Sequence, residues 1–106
     1  MVEGLKRETP PALVGRWTHA HERDEPGARV FVGPSVRLGL SRGRRILEFD
    51  DTGGFTDTAP GPTDRSRSRQ GRYETQRDEI VLKYDDGTVD RTRFELADDG
   101  TLRLRR

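Results

Sequence analysis

Asp-Asp-Gly-Thr occurs twice in this chain, at residues 85–88 and 98–101, each time between two alternating apolar stretches, and a near copy, Asp51-Thr52-Gly53-Gly54, comes shortly after Phe49. An Asp-Gly pair accepts the positive φ that a tight hairpin demands, so each copy is expected to join two neighbouring antiparallel strands. The alternation between such turns places strands near 13–21, 28–32, 44–50, 54–58, 71–76, 79–84, 88–96 and 101–105. No stretch of a dozen residues keeps an apolar spacing near 3.6 without a Gly or Pro interrupting it, so little helix is expected. The expected fold class is all-β: a small antiparallel up-and-down β-barrel of about eight strands.

Composition bounds the rest. With 106 residues there is room for one domain. Apolar residues make up 29% and charged residues 37%, a balance that leans toward disorder, but the apolar residues cluster in short alternating runs, which a folded sheet requires. Residues 1–12 are charged, contain Pro10-Pro11 and show no period, so they read as a flexible N-terminal segment ahead of one domain at 13–106. Segment 59–70 is polar and reads as a loop. In segment 33–43, Val36, Leu38 and Leu40 alternate, which leaves open an extra short strand or a lid.

Charge and cysteine content exclude several classes of function. Twenty basic against nineteen acidic residues give +1, so no general attraction to nucleic acid or anionic lipid follows. Arginines do gather locally, at Arg42, Arg44 and Arg45 and at Arg65, Arg67, Arg69 and Arg72, but recognition of single strands also needs interleaved aromatics, and only Tyr73 borders either patch. Nucleic acid is therefore not an expected partner. There is no cysteine, which removes disulfides and thiolate chemistry, and metal ligands would have to be His or carboxylate. No apolar run approaches the roughly 20 residues that span a bilayer, and the first residues lack the apolar centre of a signal peptide. A cytoplasmic protein with no membrane partner is the expectation.

Side chains alternate across a strand, so one fixed residue assigns a whole face. If Trp17 points inward, Gly15, His19 and His21 share its face while Arg16, Thr18 and Glu22 point to water. Leu47 and Phe49 likewise bring Arg45 inward, Ile80 and Leu82 bring Tyr84, and Phe94 and Leu96 bring Thr92 and Asp90. An inward arginine is costly unless paired, so Arg45 needs an internal acid, a ligand anion or water. Gly15-Arg16-Trp17 and Gly71-Arg72-Tyr73 each set a glycine two residues before a large ring, a pattern that suits close backbone approach beneath the ring.

Gly15-x-Trp17 at the first strand, the meander behind it and the arginine-bearing last strand Leu102-Arg103-Leu104-Arg105 resemble the lipocalin and wider calycin barrels. Trp17-Thr18-His19-Ala20-His21-Glu22, Ser41-Arg42-Gly43-Arg44-Arg45 and Gly61-Pro62-Thr63-Asp64-Arg65 are more closely similar to stretches in short bacterial lipocalin-like proteins with no assigned activity. The resemblance implies a barrel that Trp17 closes at one end, with Arg103 or Arg105 packed across it, and a tendency to bind small molecules.

The chemistry then divides into three readings. In the first, a small-molecule ligand with a polar or anionic head sits in the cup, oriented by His19, His21, Arg45, Tyr73 and Tyr84, above a wall of Leu47, Phe49, Ile80, Leu82, Phe94, Leu102 and Leu104. In the second, the arginine-rich loops or a free sheet edge dock another protein. In the third, His19-x-His21 supplies two metal ligands or a general base, with Asp90 as a conceivable third ligand. No nucleophile elbow, phosphate loop or dinucleotide fingerprint accompanies the histidines, so neither a cofactor nor a catalytic residue is assigned and the enzyme reading is not preferred. The first reading is the expected one, for a monomer or homodimer.

Overall fold

A computed structural model of the chain describes residues 11–39, 43–60 and 66–105. Eight strands form: β1 (Gly15–His19), β2 (Ala28–Val32), β3 (Ile46–Phe49), β4 (Gly54–Pro60), β5 (Ser66–Gln76), β6 (Glu79–Tyr84), β7 (Val89–Leu96) and β8 (Thr101–Arg105). They close into an all-β, antiparallel, up-and-down barrel in the order β1-β2-β8-β7-β6-β5-β4-β3. From β3 to β8 each strand pairs with the next in sequence. At the seam β1 lies between β2 and β3 and pairs with both, so the link from β2 to β3 passes beyond β1.

The three expected turns share one geometry. Gly53, Gly87 and Gly100 all have φ between 82° and 95°. In the β6–β7 turn the Gly87 N–H donates to the Tyr84 carbonyl at 3.0 Å and the Tyr84 N–H to the Thr88 carbonyl at 2.8 Å. Ala97, Gly100 and Thr101 repeat the pattern at 3.2 and 2.9 Å between β7 and β8. This is a three-residue hairpin whose glycine occupies the left-handed position, the reason the motif carries Gly at that point.

Alternating residues fill the barrel. Phe31, Leu47, Ile80, Leu82 and Leu102 are at most 1% exposed, and Phe49, Phe55, Tyr73, Tyr84 and Phe94 join them in one cluster. Leu13, on a short 3₁₀ turn at Pro11–Leu13, is fully buried and its carbonyl accepts a 2.8 Å bond from the Trp17 indole Nε1. Trp17 thus sits at one barrel end, tied to the segment that precedes β1. Residues 1–10 of the expected terminal segment lie outside the described residues.

One expectation about loops is corrected, and one open question is narrowed. Residues 59–60 end β4 and residues 66–70 begin β5, so much of the 59–70 segment is hairpin rather than loop; positions 61–65 lie outside the described residues. Residues 33–36 make a turn closed by the Val36 N–H and the Gly33 carbonyl at 3.1 Å, and no strand forms among the described residues between β2 and β3.

Candidate functional site

Arg45 and Asp57 come together because strand parity and hairpin register agree. Leu47 pairs with Asp57 across β3 and β4, and Arg45, two residues earlier on the same inward face, reaches diagonally to the carboxylate. Arg45 Nε donates to Asp57 Oδ1 at 3.0 Å and Nη2 to Oδ2 at 2.9 Å, a two-pronged pair. Tyr84, brought inward on β6 as expected, donates its hydroxyl to Asp57 Oδ2 at 2.8 Å. Asp57 is only 4% exposed, so these three bonds are what permit a carboxylate there.

The internal acid that Arg45 requires is therefore Asp57. The same parity that turns Phe55 inward turns Asp57 inward, so the signal for it was present in β4. Burial opposes the charge on both partners, and each partner's charge outweighs it: Arg45 is held above the usual arginine range and Asp57 below the usual carboxylate range. Burial first, and then the bond to Asp57, pushes the Tyr84 phenol up to about 12.

This triad forms one wall of an open barrel mouth. A cavity of about 670 Å³ is lined by Arg29, Arg45, Asp57, Arg69, Tyr84 and Asp90 among others. A neighbouring cavity of about 300 Å³ shares Arg29, Arg45 and Asp90 and reaches down to Leu82, Thr92 and Leu104. The Arg69 guanidinium lies over the Tyr84 ring, 3.9 Å from its centroid, and makes a looser 3.4 Å pair with Asp86. Four arginines (Arg29, Arg45, Arg69 and Arg91) face two carboxylates (Asp57 and Asp90) around the larger cavity, a local surplus of two positive charges. Asp57 takes only two of the five Arg45 N–H groups, and the Arg45 side chain remains 19% exposed.

Apart from Asp90, the remaining candidate residues go elsewhere. β1 stops at His19 because the Asp24 carboxylate, rather than a further strand residue, accepts the Val30 N–H at 2.9 Å. The same carboxylate lies 3.0 Å from His19 Nε2, and the His19 ring packs 5.1 Å from Phe31. Beyond it the chain turns through buried Ala20 into a 3₁₀ turn at His21–Arg23, so His21 leaves the inward face to which alternation assigned it. Glu22, next on that turn, pairs with Arg44 at 2.8 Å, and the guanidinium holds its carboxyl down to about 2.

Tyr73 is core rather than ligand wall: its hydroxyl donates to the Asp50 carbonyl at 2.5 Å and its ring meets Phe49 edge-on at 4.9 Å. Arg103 and Arg105 alternate outward from Leu102 and Leu104, and both guanidiniums meet Glu25, at 3.3 and 3.6 Å. In register, Arg103 lies beside Val30, three residues along β2 from Gly33, which packs near the Trp17 ring. The packing across Trp17 that the resemblance implied thus falls to neither arginine. Asp90 faces the mouth, and among the described residues no group of three His, Asp or Glu side chains is placed to hold a metal ion. Among those residues, too, no helix is long and apolar enough to cross a membrane.

The barrel itself agrees with the lipocalin-like architecture that the resemblance implies. No known family profile, curated protein or solved structure matches this chain.

Proposed function

We propose that this chain is a lipocalin-like binding protein that takes a small molecule with an anionic head at the Arg45 end of the barrel. The observation that supports this reading is the mouth itself: two adjoining cavities that share Arg29, Arg45 and Asp90, the larger lined by more arginine than carboxylate, with Leu82, Leu104 and Tyr84 beneath. Apolar floor and a few oriented polar groups are the ordinary make-up of a ligand site. Leu13, Trp17, Phe49 and Tyr73 are buried in the core cluster, so in this reading the ligand sits across the mouth rather than deep in a cup.

In this reading Arg45 is a preorganised contact. Asp57 and Tyr84 hold its guanidinium in one orientation, which lowers the entropy lost when a ligand oxygen docks on the remaining N–H groups. Arg69, over the Tyr84 ring, and Arg29 supply further charge from the rim. The mass of the purified protein under native conditions, compared with its denatured mass, tests this directly. An organic acid carried through purification supports the site; a metal-sized adduct would favour the histidines and contradict it.

A further inference from the structure

β5 outruns the strand beside it. It pairs with the whole of β4, from Pro60 opposite Ser66 to Gly54 opposite Arg72, but with β6 only from Gly71 opposite Tyr84 onward. One more bond, from the Asp85 N–H to the Gln70 carbonyl at 2.8 Å, ends that ladder. Residues 66–69 are therefore a sheet edge on the side that β6 would occupy. Main-chain groups facing one neighbour recur at every second residue of an antiparallel strand, so after Gln70 the next to face the open side are those of Ser68 and Ser66. Among the described residues, no main-chain partner meets them there.

We propose that this edge receives an extended, acidic segment of another polypeptide as an added antiparallel strand. Strand addition draws its affinity from unpaired main-chain groups and its selectivity from the flanking side chains. From 66 to 72 the chain reads Ser-Arg-Ser-Arg-Gln-Gly-Arg, three arginines and no acid. Arg67 and Arg69 are exposed; Arg69 rests over the Tyr84 ring and makes one loose ion pair, to Asp86. A second copy of this chain, laid edge to edge, would set arginine against arginine, and like charges directly opposite one another destabilise a strand pair. Edge cations are the usual guard against such self-association. The same cations favour a strand bearing glutamate or aspartate at alternate positions. This inference does not rest on the ligand reading: it is argued from main-chain groups at the free lateral edge of β5, although Arg69 also lines the mouth.

The test uses the full chain, labelled for amide spectroscopy and titrated with an alternating valine–glutamate peptide and with its valine–lysine counterpart. The glutamate peptide should shift the Ser66 and Ser68 amides and slow their hydrogen exchange about tenfold or more, while the lysine peptide does neither. Arg67→Glu should reverse that preference. Ser68→Pro removes an outward N–H at an edge position where proline is tolerated, and should abolish binding. Equal binding of the two peptides, shifts confined to Arg29 and Asp90, or Ser68 exchange in the free protein already as slow as in the paired part of β5 would each overturn the proposal. If Ser68→Pro fails to fold, free-protein exchange and the Arg67→Glu reversal still decide it.

Discussion

Phe55 and Tyr84 lie on strands that are not neighbours, yet their rings meet edge to face with centroids 5.1 Å apart, because Gly71 on the strand between them has no side chain to separate them. A Cβ at Gly71 would fall 2.0 Å from the Lys83 carbonyl oxygen, a backbone atom that cannot step aside without parting β5 from β6. The aromatic pair fills the space that the glycine leaves. It also positions the Tyr84 hydroxyl for Asp57, so the geometry of the barrel mouth depends on a missing methyl group.

Gly71→Ala is accordingly expected to cost at least about 3 kcal/mol or to prevent folding. Gly15→Ala is the control from the companion Gly-x-aromatic stretch. A Cβ there meets nothing within 4 Å, but the backbone sits at φ +135°, so strain alone should cost about 1–2 kcal/mol. Urea unfolding of the two variants measures the difference; equal losses would mean that the close approach to Lys83 is not what Gly71 serves.

Removing Arg45 leaves Asp57 buried with only Tyr84 to stabilise its charge. Arg45→Met should therefore cost about 3–5 kcal/mol, whereas the double variant Arg45→Met/Asp57→Leu should recover most of that loss, because a buried ion pair is worth little against apolar residues of similar size. Equilibrium unfolding of both singles and the double gives the coupling. Additive losses would show that the two groups do not act as a pair.

The pH dependence follows from two shifts of opposite sense. Asp57 is depressed in the folded state, so its contribution is present above the unfolded carboxylate value near 4 and is lost as pH falls through the lower folded value. Tyr84 is raised to about 12, so its contribution is present below the unfolded phenol value of about 10 and is lost as pH rises through the folded one. The chain has two tyrosines, so phenolate absorbance in a Tyr73→Phe background reads Tyr84 alone. Its midpoint is expected near 12, and Asp57→Asn should lower it by the share that the Asp57 bond and charge contribute, leaving the share due to burial.

Trp17 is the single tryptophan, and its indole nitrogen bonds the Leu13 carbonyl. Trp17→Ala should cost about 3–5 kcal/mol through the cavity it leaves. Trp17→Phe keeps an aromatic ring but removes the bond, and should cost about 1–2 kcal/mol while raising amide exchange at Val14, whose N–H bonds the Pro11 carbonyl at 3.2 Å. Unchanged exchange at Val14 would show that the indole does not anchor the segment before β1.

Strand positions were legible because the Asp-Gly turns and the alternation between them are local signals, and the inward sets around Leu47, Ile80, Leu82 and Phe94 followed by parity. What escaped was non-local or non-apolar. Residues 66–70 alternate Ser and Arg with no apolar member, so hydrophobic period is silent on a strand that projects past the core. His19-Ala20-His21 carries no mark of the point where β1 ends, because an Asp24 side chain three residues beyond His21 ends it. Pairing order is set by packing of the whole sheet, so the place of β1 between β2 and β3 has no local signature.

The most direct test of the ligand mouth is a fluorescence titration with anilinonaphthalene sulfonate, an anionic aromatic probe, beside the neutral phenylnaphthylamine, on the folded protein and its Arg29→Ala and Arg69→Ala variants. The account predicts that the sulfonate binds at one site, that the neutral probe binds at least about tenfold more weakly, and that each variant weakens the sulfonate by about 1 kcal/mol or more. Equal affinity for the two probes, or binding unaltered by loss of either arginine, would contradict it.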